Sequence, residues 1–208
     1  MGTMAMQQPR KFHTLRTSLR AVFGAAALAI VFAAPAAPAA AQQMALMASF
    51  PLAGREARNT AEALRARNLL IPVQGVTADR LHDTYNDARS GGRVHDAIDI
   101  HAPRGTPVLA VNDGMVIKLH SGARGGTSLY QIDPDGRTRY YYAHLSAYAD
   151  GIHEGVPVKK GQVIGYVGDT GNAQPGDYHL HFSIAILSSA SRWWGGTNVN
   201  PYDVFHGR

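Results

Sequence analysis

The stretch Tyr178-His-Leu-His-Phe-Ser-Ile-Ala185 places two imidazoles, His179 and His181, on either side of one leucine in an otherwise apolar run. In a β-strand, side chains two residues apart point to the same face, about 6.6 Å apart along the backbone. The two histidines therefore share one face, and Leu180 and Phe182 point the other way, into a core. Burying an unsatisfied polar group costs about 1–3 kcal/mol, so the histidine face requires partners.

The first candidate partners lie in Arg93-Val-His-Asp-Ala-Ile-Asp-Ile100, where His95 and Asp99 are four residues apart. A straight strand would separate them by about 13 Å, whereas zinc ligands lie only about 2 Å from the ion. Both can reach one ion only if the chain bends between them or forms a helical turn. Ile98 and Ile100 favour a strand that begins near Asp99, with the bend just before it.

A further imidazole, His144, ends the aromatic and apolar run Tyr141-Tyr-Ala-His144. Two nitrogen ligands and one carboxylate, with one position left for water, form a catalytic zinc arrangement. Zinc lowers the pKa of its water and polarises a carbonyl, which suits amide hydrolysis, and further imidazoles can transfer the proton or stabilise the oxyanion. The residues alone leave open whether His179 is a ligand or acts on bound water.

Each of these features alone also fits a hydrogen-bonded or surface histidine, and only their combination in one small β domain favours a metal site. The other histidines lack comparable settings, and we predict that they are solvated, with His101 close enough to contact the site. They are His82, His101, His120, His153 and His206.

The composition is that of a globular chain, with 208 residues, 45% apolar residues and a formal charge of +5. This size is sufficient for one well-buried core. Four of the basic residues precede a purely apolar run, and without them sixteen Lys and Arg face fifteen Asp and Glu. The remainder is close to neutral, which argues against a nucleic-acid partner. The four are Arg10, Lys11, Arg16 and Arg20.

Residues 1–41 have the order of a secretory signal peptide: a basic region, the 14-residue apolar run Ala21–Ala34 and the small-residue stretch Pro35–Ala41. The run is shorter than the roughly 20 residues that span a bilayer as a helix. We therefore predict cleavage after Ala41 and no stable membrane span, with an uncleaved anchor as the alternative. The chain has no cysteine, which excludes disulfides and a lipidated N-terminal cysteine. The protein is expected to be exported, to the periplasm or cell envelope or beyond the cell.

Residues 42–70 are predicted to form a linker and a short helix over Gly54–Asn68, capped at Thr60 or earlier. From residue 71 to 208, short β-branched and aromatic runs alternate with Gly, Pro, Asp and Asn, which predicts one mainly β, compact antiparallel domain. A hairpin turn is predicted at Asp133–Gly136. The predicted strands are Val108–Val111, Met115–Leu119, Ser128–Ile132, Arg139–His144, Val163–Val167 and His179–Ile186.

Together these motifs resemble the lysostaphin-type, LytM-like zinc metallopeptidases, which cleave peptide cross-links in peptidoglycan. The resemblance runs in order over roughly two thirds of the chain, from about Ile71 to Tyr202. The segments that carry it are His95–Val116, Tyr142–Leu145, Val158–Asn172, His179–Phe182 and Asn200–Tyr202.

The resemblance implies one zinc ion per chain, held by His95, Asp99 and His181 with water as the fourth ligand. It assigns His144 and His179 to catalysis, as groups that orient or deprotonate the water and stabilise the tetrahedral intermediate. It also implies a small antiparallel β groove, peptidoglycan peptide stems as the substrate, and scope for a regulatory protein partner of unknown identity.

The chain departs from the family pattern at two positions, Ala97, where many members have glycine, and Ser183, where an acidic residue is frequent. Some members also carry an upstream segment that blocks the groove. In this chain Asn86 or the helix over Gly54–Asn68 is the candidate for that role.

Three other functions are weighed against a zinc endopeptidase. The first is a non-enzymatic cell-wall-binding or hydrolase-activating LytM-like module, which typically lacks zinc ligands, whereas all five positions are present here. The second is a carrier-type β sandwich, which lacks a lysine at a suitable hairpin tip. The third is an exported protease of ordinary proteins.

Overall fold

The fold is mainly β in the computed structural model, which describes residues 60–188 and 193–206. Residues 60–65 form helix α1, Pro201–His206 form helix α2, and a 3-10 turn lies at Ala78–Arg80. The strands are β1 (Ala88–Arg89), β2 (Arg93–Val94), β3 (Ile98–His101), β4 (Pro107–Leu109), β5 (Gly114–Gly122), β6 (Gly126–Ile132), β7 (Thr138–Tyr148), β8 (Pro157–Val158), β9 (Val163–Val167), β10 (His179–Ile186) and β11 (Thr197–Val199).

Strand β10 organises the sheet, which has nine strands within the described residues. The main path runs β11-β10-β7-β6-β5-β8, with β3 paired to β10 and β9 paired to both β4 and β7. All of these pairs are antiparallel. The first half of β10 lies between β3 and β7, and the second half lies between β7 and β11. A separate hairpin, β1–β2, precedes the segment with His95 and Asp99.

The core lies on one face of β10. Leu180, Phe182 and Ile184 have no exposed surface. The Phe182 ring packs against Tyr142 of β7 and Phe205 of α2, with ring centroids 5.3 and 5.9 Å apart. Full burial of a large apolar side chain contributes about 1.5–3 kcal/mol, so this face anchors the strand and leaves its other face to the two histidines.

The predicted mainly β, antiparallel fold is confirmed. The strands predicted at Val163–Val167 and His179–Ile186 match β9 and β10 residue for residue. The turn at Asp133–Gly136 joins β6 to β7, and its last N–H donates to its first carbonyl at 2.9 Å. The other four predicted strands overlap β4 to β7 but differ at their ends. Backbone pairing carries β5, β6 and β7 beyond their apolar runs, whereas β4 begins one residue earlier and ends two residues earlier than predicted.

Helix α1 is described only from residue 60, and it ends at residue 65 rather than at Asn68 as predicted. Asn68 has a φ of 56°, a left-handed conformation that terminates helices. Thr60 is itself helical, so the cap lies outside the described residues. Leu64 and Leu69 belong to the same core as β10, and a boundary between a linker at 42–70 and a domain at 71–208 stays a prediction.

The predicted signal peptide at 1–41 and the segment 42–59 lie outside the described residues. Among the helices that the structure describes, none has the length and apolar character needed to cross a membrane. Export and leader cleavage stay predictions.

Candidate metal centre

His95 and Asp99 approach each other because the chain bends between them. Asp96 has a φ of 56°, a left-handed conformation that turns the backbone just before β3. The bend brings His95 Nε2 to 3.0 Å from Asp99 Oδ1. The predicted bend before Asp99 is confirmed.

His181 reaches the same point from the neighbouring strand. In the antiparallel pair of β3 and β10, His181 lies directly opposite Asp99, and opposed residues share a face of the sheet. His181 Nδ1 is 3.2 Å from Asp99 Oδ1 and 2.9 Å from His95 Nε2. These three atoms, each of which can ligate a metal ion, therefore form a triangle with sides of 2.9, 3.0 and 3.2 Å.

Thr84 orients both residues at the bend. The His95 Nδ1–H donates a hydrogen bond to the Thr84 carbonyl oxygen at 2.9 Å. This leaves the Nε2 lone pair directed at Asp99 Oδ1 and His181 Nδ1. The Asp99 backbone N–H donates to the Thr84 hydroxyl at 3.2 Å. A second N–H held by a carbonyl is common in metal-ligating histidines, because it selects the tautomer and the ring orientation.

The protonation states of Asp99 and His181 suit a cation. Burial alone would raise the pKa of Asp99, but its close polar contacts with His181 and His95 lower it by more, so the pKa lies below its usual range. Burial lowers the pKa of His181. At neutral pH the carboxylate is ionised and the imidazole neutral, which are the forms that bind metal ions.

Arg89 holds the second oxygen of Asp99. Its Nη2 lies 2.7 Å from Asp99 Oδ2, while Oδ1 faces the histidines. This contact is not among the sequence-based predictions. The sequence feature that could have indicated it is Arg89-Ser-Gly-Gly-Arg93. Two glycines between arginines favour a tight hairpin, which would fold back beside the segment with His95 and Asp99.

His144 occupies a β-bulge in β7. At the point where the register shifts, Ala143 and His144 stand opposite the single residue Ser128 of β6. His144 has a φ of 60°, and a bulge of this kind re-aims the side chain of the extra residue. Its ring consequently lies beside that of His181, with centroids 5.7 Å apart.

His144 and His179 both anchor Nδ1 on a backbone carbonyl, which leaves Nε2 for the cleft. The His144 Nδ1–H donates to the Thr170 oxygen at 2.7 Å, and the His179 Nδ1–H donates to the Asp177 oxygen at 2.8 Å. The two rings have centroids 4.9 Å apart. Burial lowers the pKa of His144 to about 4, so the ring is neutral at pH 7.

All five predicted site residues line a single cleft of about 440 Å³. Asn86 is exposed and lies outside this lining, as do the described residues of α1, and Ala97 is fully buried. Apart from Gly125 and Ala173, the remaining lining side chains are basic, aromatic, amide or acidic. Among them are Arg89, Arg93, Arg124, Tyr141, Asn172, Gln174 and Asp177.

A second cluster of possible ligands lies beside the first. His101 Nε2 is 3.2 Å from Asp177 Oδ1, and its ring centroid is 5.3 Å from that of His179. Since His179 Nδ1 already donates to the Asp177 carbonyl, that nitrogen is not free to bind a cation. His101 is exposed and contacts a neighbour of the site, as predicted.

The family of this chain is identified by a sequence match to a protein-family model over the segment that contains the cleft residues. The model of peptidase family M23 matches residues 93–201, just over half of the chain, and this range contains all five site residues.

The chain belongs to peptidase family M23.

The predicted resemblance to lysostaphin-type peptidases is thereby confirmed. The M23 chain is 36% identical over 126 residues to the L-Ala–D-Glu endopeptidase of Bacillus subtilis, covering 57% of this chain and 37% of the relative. It is 38% identical over 113 residues to the DD-carboxypeptidase/endopeptidase Mpg of Neisseria meningitidis, covering 54% and 23%. The structure of lysostaphin from Staphylococcus simulans matches with a TM-score of 0.50 at 30% identity, covering 61% and 48%. The chain spans well under half the length of these two curated relatives.

The donor set of the M23 site fits zinc. In a tetrahedral site with bonds of about 2.0–2.1 Å, ligand atoms lie about 3.3 Å apart, and the sides here are 2.9–3.2 Å. Two imidazole nitrogens and one carboxylate oxygen also form a common catalytic set that leaves one position open. The residues that fit the ion are His95, Asp99 and His181.

Proposed function

We propose that this chain is an exported zinc-dependent endopeptidase that hydrolyses amide bonds in peptidoglycan peptide cross-links. One observation carries the proposal: the triangle of His95 Nε2, Asp99 Oδ1 and His181 Nδ1 lies in a cleft with two further imidazoles whose Nδ1 atoms are anchored. Membership of family M23 and similarity to relatives named as endopeptidases support the reaction class and the substrate.

In this proposal, one zinc ion is held by His95, Asp99 and His181. Zinc supplies a Lewis acid that polarises the scissile carbonyl and lowers the pKa of a water molecule. Contacts from Thr84 and Arg89 hold the ligands in their binding orientation, which reduces the conformational freedom that metal binding has to remove.

His144 and His179 act on the attacking water and its proton. His144 is neutral at pH 7, and its Nε2 accepts a proton from the attacking water. The protonated ring then donates to the nitrogen of the departing amine, so one group serves first as base and then as acid. His179 places a second imidazole beside it, whose free Nε2 accepts a hydrogen bond that orients the water. Once protonated, this ring would also stabilise negative charge on the carbonyl oxygen.

Zinc content and digestion of sacculi test the proposal together. Purified chain supplied with zinc and then dialysed is expected to retain about one ion by elemental analysis, and His95→Ala is expected to lose it. Incubation with purified sacculi is expected to create new amino termini on the peptides, identified by mass spectrometry after the glycan strands have been digested with a muramidase. A folded protein that retains no zinc would contradict the proposal.

The alternatives give different outcomes in the same experiment. Zinc-independent binding to sacculi without released fragments would support a wall-binding or hydrolase-activating module. Cleavage of a folded protein while sacculi stay intact would support a protease of ordinary proteins. A mature N terminus at Gln42 in exported material would support the signal peptide.

A further inference from the structure

The cleft carries more positive charge than the proposed chemistry uses. Its charged lining residues, apart from the histidines, are Arg89, Arg93, Arg124, Asp99 and Asp177. Arg89 pairs with Asp99, and the Asp177 carboxylate lies within ion-pair distance of His101. Within the described residues, two of the three guanidinium groups of the cleft form no ion pair.

Arg93, the first of these two, begins β2 and lies two residues before His95. Its Nε donates to the Ser90 carbonyl at 3.2 Å, and its Nη2 donates to the Ser90 hydroxyl at 3.4 Å. These bonds tie one edge of the guanidinium to the β1–β2 hairpin. About three of its five N–H donors are left for a ligand in the cleft.

Arg124, the second, lies in the tight turn between β5 and β6. Its carbonyl accepts a hydrogen bond from the Asn172 N–H at 3.0 Å, and the carbonyl of Gly125 accepts one from the His144 N–H at 2.9 Å. The residue that follows Arg124 is therefore hydrogen-bonded to the strand residue proposed as the base. Its side chain is exposed and lines the cleft.

These two guanidinium groups select the chemistry of the ligand. A guanidinium donates two parallel hydrogen bonds to a carboxylate, and such charge-assisted pairs are about twice as strong as neutral ones. Peptidoglycan stem peptides carry carboxylates on glutamate, on the diamino acid and on the terminal alanine, whereas the interior of an oligoglycine bridge carries none. Asn172 and Gln174 add neutral amides that can bond a peptide backbone.

We propose that Arg93 and Arg124 form a carboxylate subsite, so that the cleft selects stem peptides with free carboxylates over amidated peptides and neutral oligoglycine. The inference rests on the proposed function, because it names the substrate class of the same cleft.

Binding and turnover are measured separately, so that the two proposals can fail independently. For binding, zinc-loaded chain with His144→Ala is titrated calorimetrically with a cross-linked stem-peptide dimer that carries free carboxylates. The same dimer amidated at the glutamate, at the diamino acid or at the terminal alanine shows which carboxylate is bound, and pentaglycine is the neutral comparison. We expect full amidation to weaken binding at least about tenfold.

Arg93→Gln and Arg124→Gln are then introduced into the same background. Each is expected to weaken binding of the free-acid dimer about tenfold and to leave binding of the fully amidated dimer unchanged. Arg104→Gln, in an exposed turn outside the cleft lining, is the matched control. Zinc content and circular dichroism verify that each variant is folded and loaded.

Equal binding of the free-acid and amidated dimers would overturn the subsite, as would an undiminished preference in both arginine variants. Hydrolysis of the dimers by the chain with His144 intact is followed in parallel. Preferential binding of the free-acid dimer without any hydrolysis would support the subsite and contradict only the proposed function.

Discussion

Arg89 Nη2 lies 2.7 Å from Asp99 Oδ2, the carboxylate oxygen that faces away from the two histidines of the triangle. The other oxygen, Oδ1, is 3.0 Å from His95 Nε2 and 3.2 Å from His181 Nδ1. One carboxylate thus joins a guanidinium on the β1–β2 hairpin to the proposed zinc position. The ion pair holds Asp99 so that a single oxygen is presented to the cleft.

Arg89→Ala is expected to weaken zinc binding about tenfold, because partners of metal ligands typically contribute 10–100-fold to affinity. Competition with a chromophoric chelator measures the affinity. Arg93→Ala removes the same charge from the same hairpin, and this control is expected to bind zinc as the wild type does. Wild-type affinity in Arg89→Ala would show that the ion pair does not position the ligand.

His181→Ala is expected to lose zinc and activity together, because it removes one of three donor atoms. A ligand at a thousand times its Kd stabilises the folded state by about 4 kcal/mol. Addition of a chelator should therefore lower the Tm of the wild type and leave that of His181→Ala unchanged in calorimetric scans. His101→Ala, which removes an exposed imidazole nearby, should respond as the wild type does, and a chelator-sensitive Tm in His181→Ala would contradict the ligand role.

His144→Ala is expected to retain zinc and to lose most turnover, because His144 acts on the proton and not on the metal. Elemental analysis and digestion of sacculi measure the two properties on one sample. Metal loss in this variant would contradict the assigned role.

His144→Gly tests the bulge separately from the chemistry. The φ of 60° at this position disfavours residues with a β-carbon by about 1–2 kcal/mol, a penalty that glycine does not incur. We expect the glycine variant to be about 1 kcal/mol more stable than His144→Ala in urea denaturation, although both are expected to lose most turnover. Equal stability would mean that the bulge does not strain the backbone.

Asp135, in the β6–β7 turn, is expected to make the fold sensitive to acid. Burial alone would raise its pKa, but hydrogen bonds, chiefly from Thr138, lower the pKa to about 2. A carboxyl whose pKa is depressed in the folded state stabilises the fold above its unfolded pKa of about 3.9, and this contribution is lost as the pH falls towards 2. In urea denaturation with chelator present, Asp135→Asn should be less stable at pH 6 and should lose less stability than the wild type between pH 4 and 2.

The control for this prediction is Asp150→Asn, which removes an exposed carboxylate from another turn. It is expected to leave the acid-induced loss of stability unchanged. The same loss in Asp135→Asn as in the wild type would contradict the proposed role of the turn.

Period-two alternation predicted the two faces of β10, because the side to which a strand residue points is a local property of the backbone. Leu180 and Phe182 are buried and His181 lines the cleft for that reason. The ends of β5 and β7 were less predictable, because a strand extends as far as its neighbours pair with it, whatever the apolar run suggests.

The bulge at His144 has no local sequence signature. It arises from the register between β6 and β7, where two residues of one strand oppose one residue of the other. In a β7 strand without the bulge, the side chains of Ala143 and His144 would point to opposite faces of the sheet. Only the pairing of the two strands brings its ring to the same cleft as His181.

The amino-acid sequence was thus sufficient for the mainly β class, the alternation of β10 and, through resemblance to a family, the choice of five residues that line one cleft. Which atoms meet depended on the assembled sheet. His95 and His181 are 86 residues apart, and Arg89 reaches Asp99 only because a hairpin folds back against β3. Local propensities act over a few residues, whereas a ligand triangle with sides near 3 Å requires the register of separate strands to be set by the packing of the whole domain.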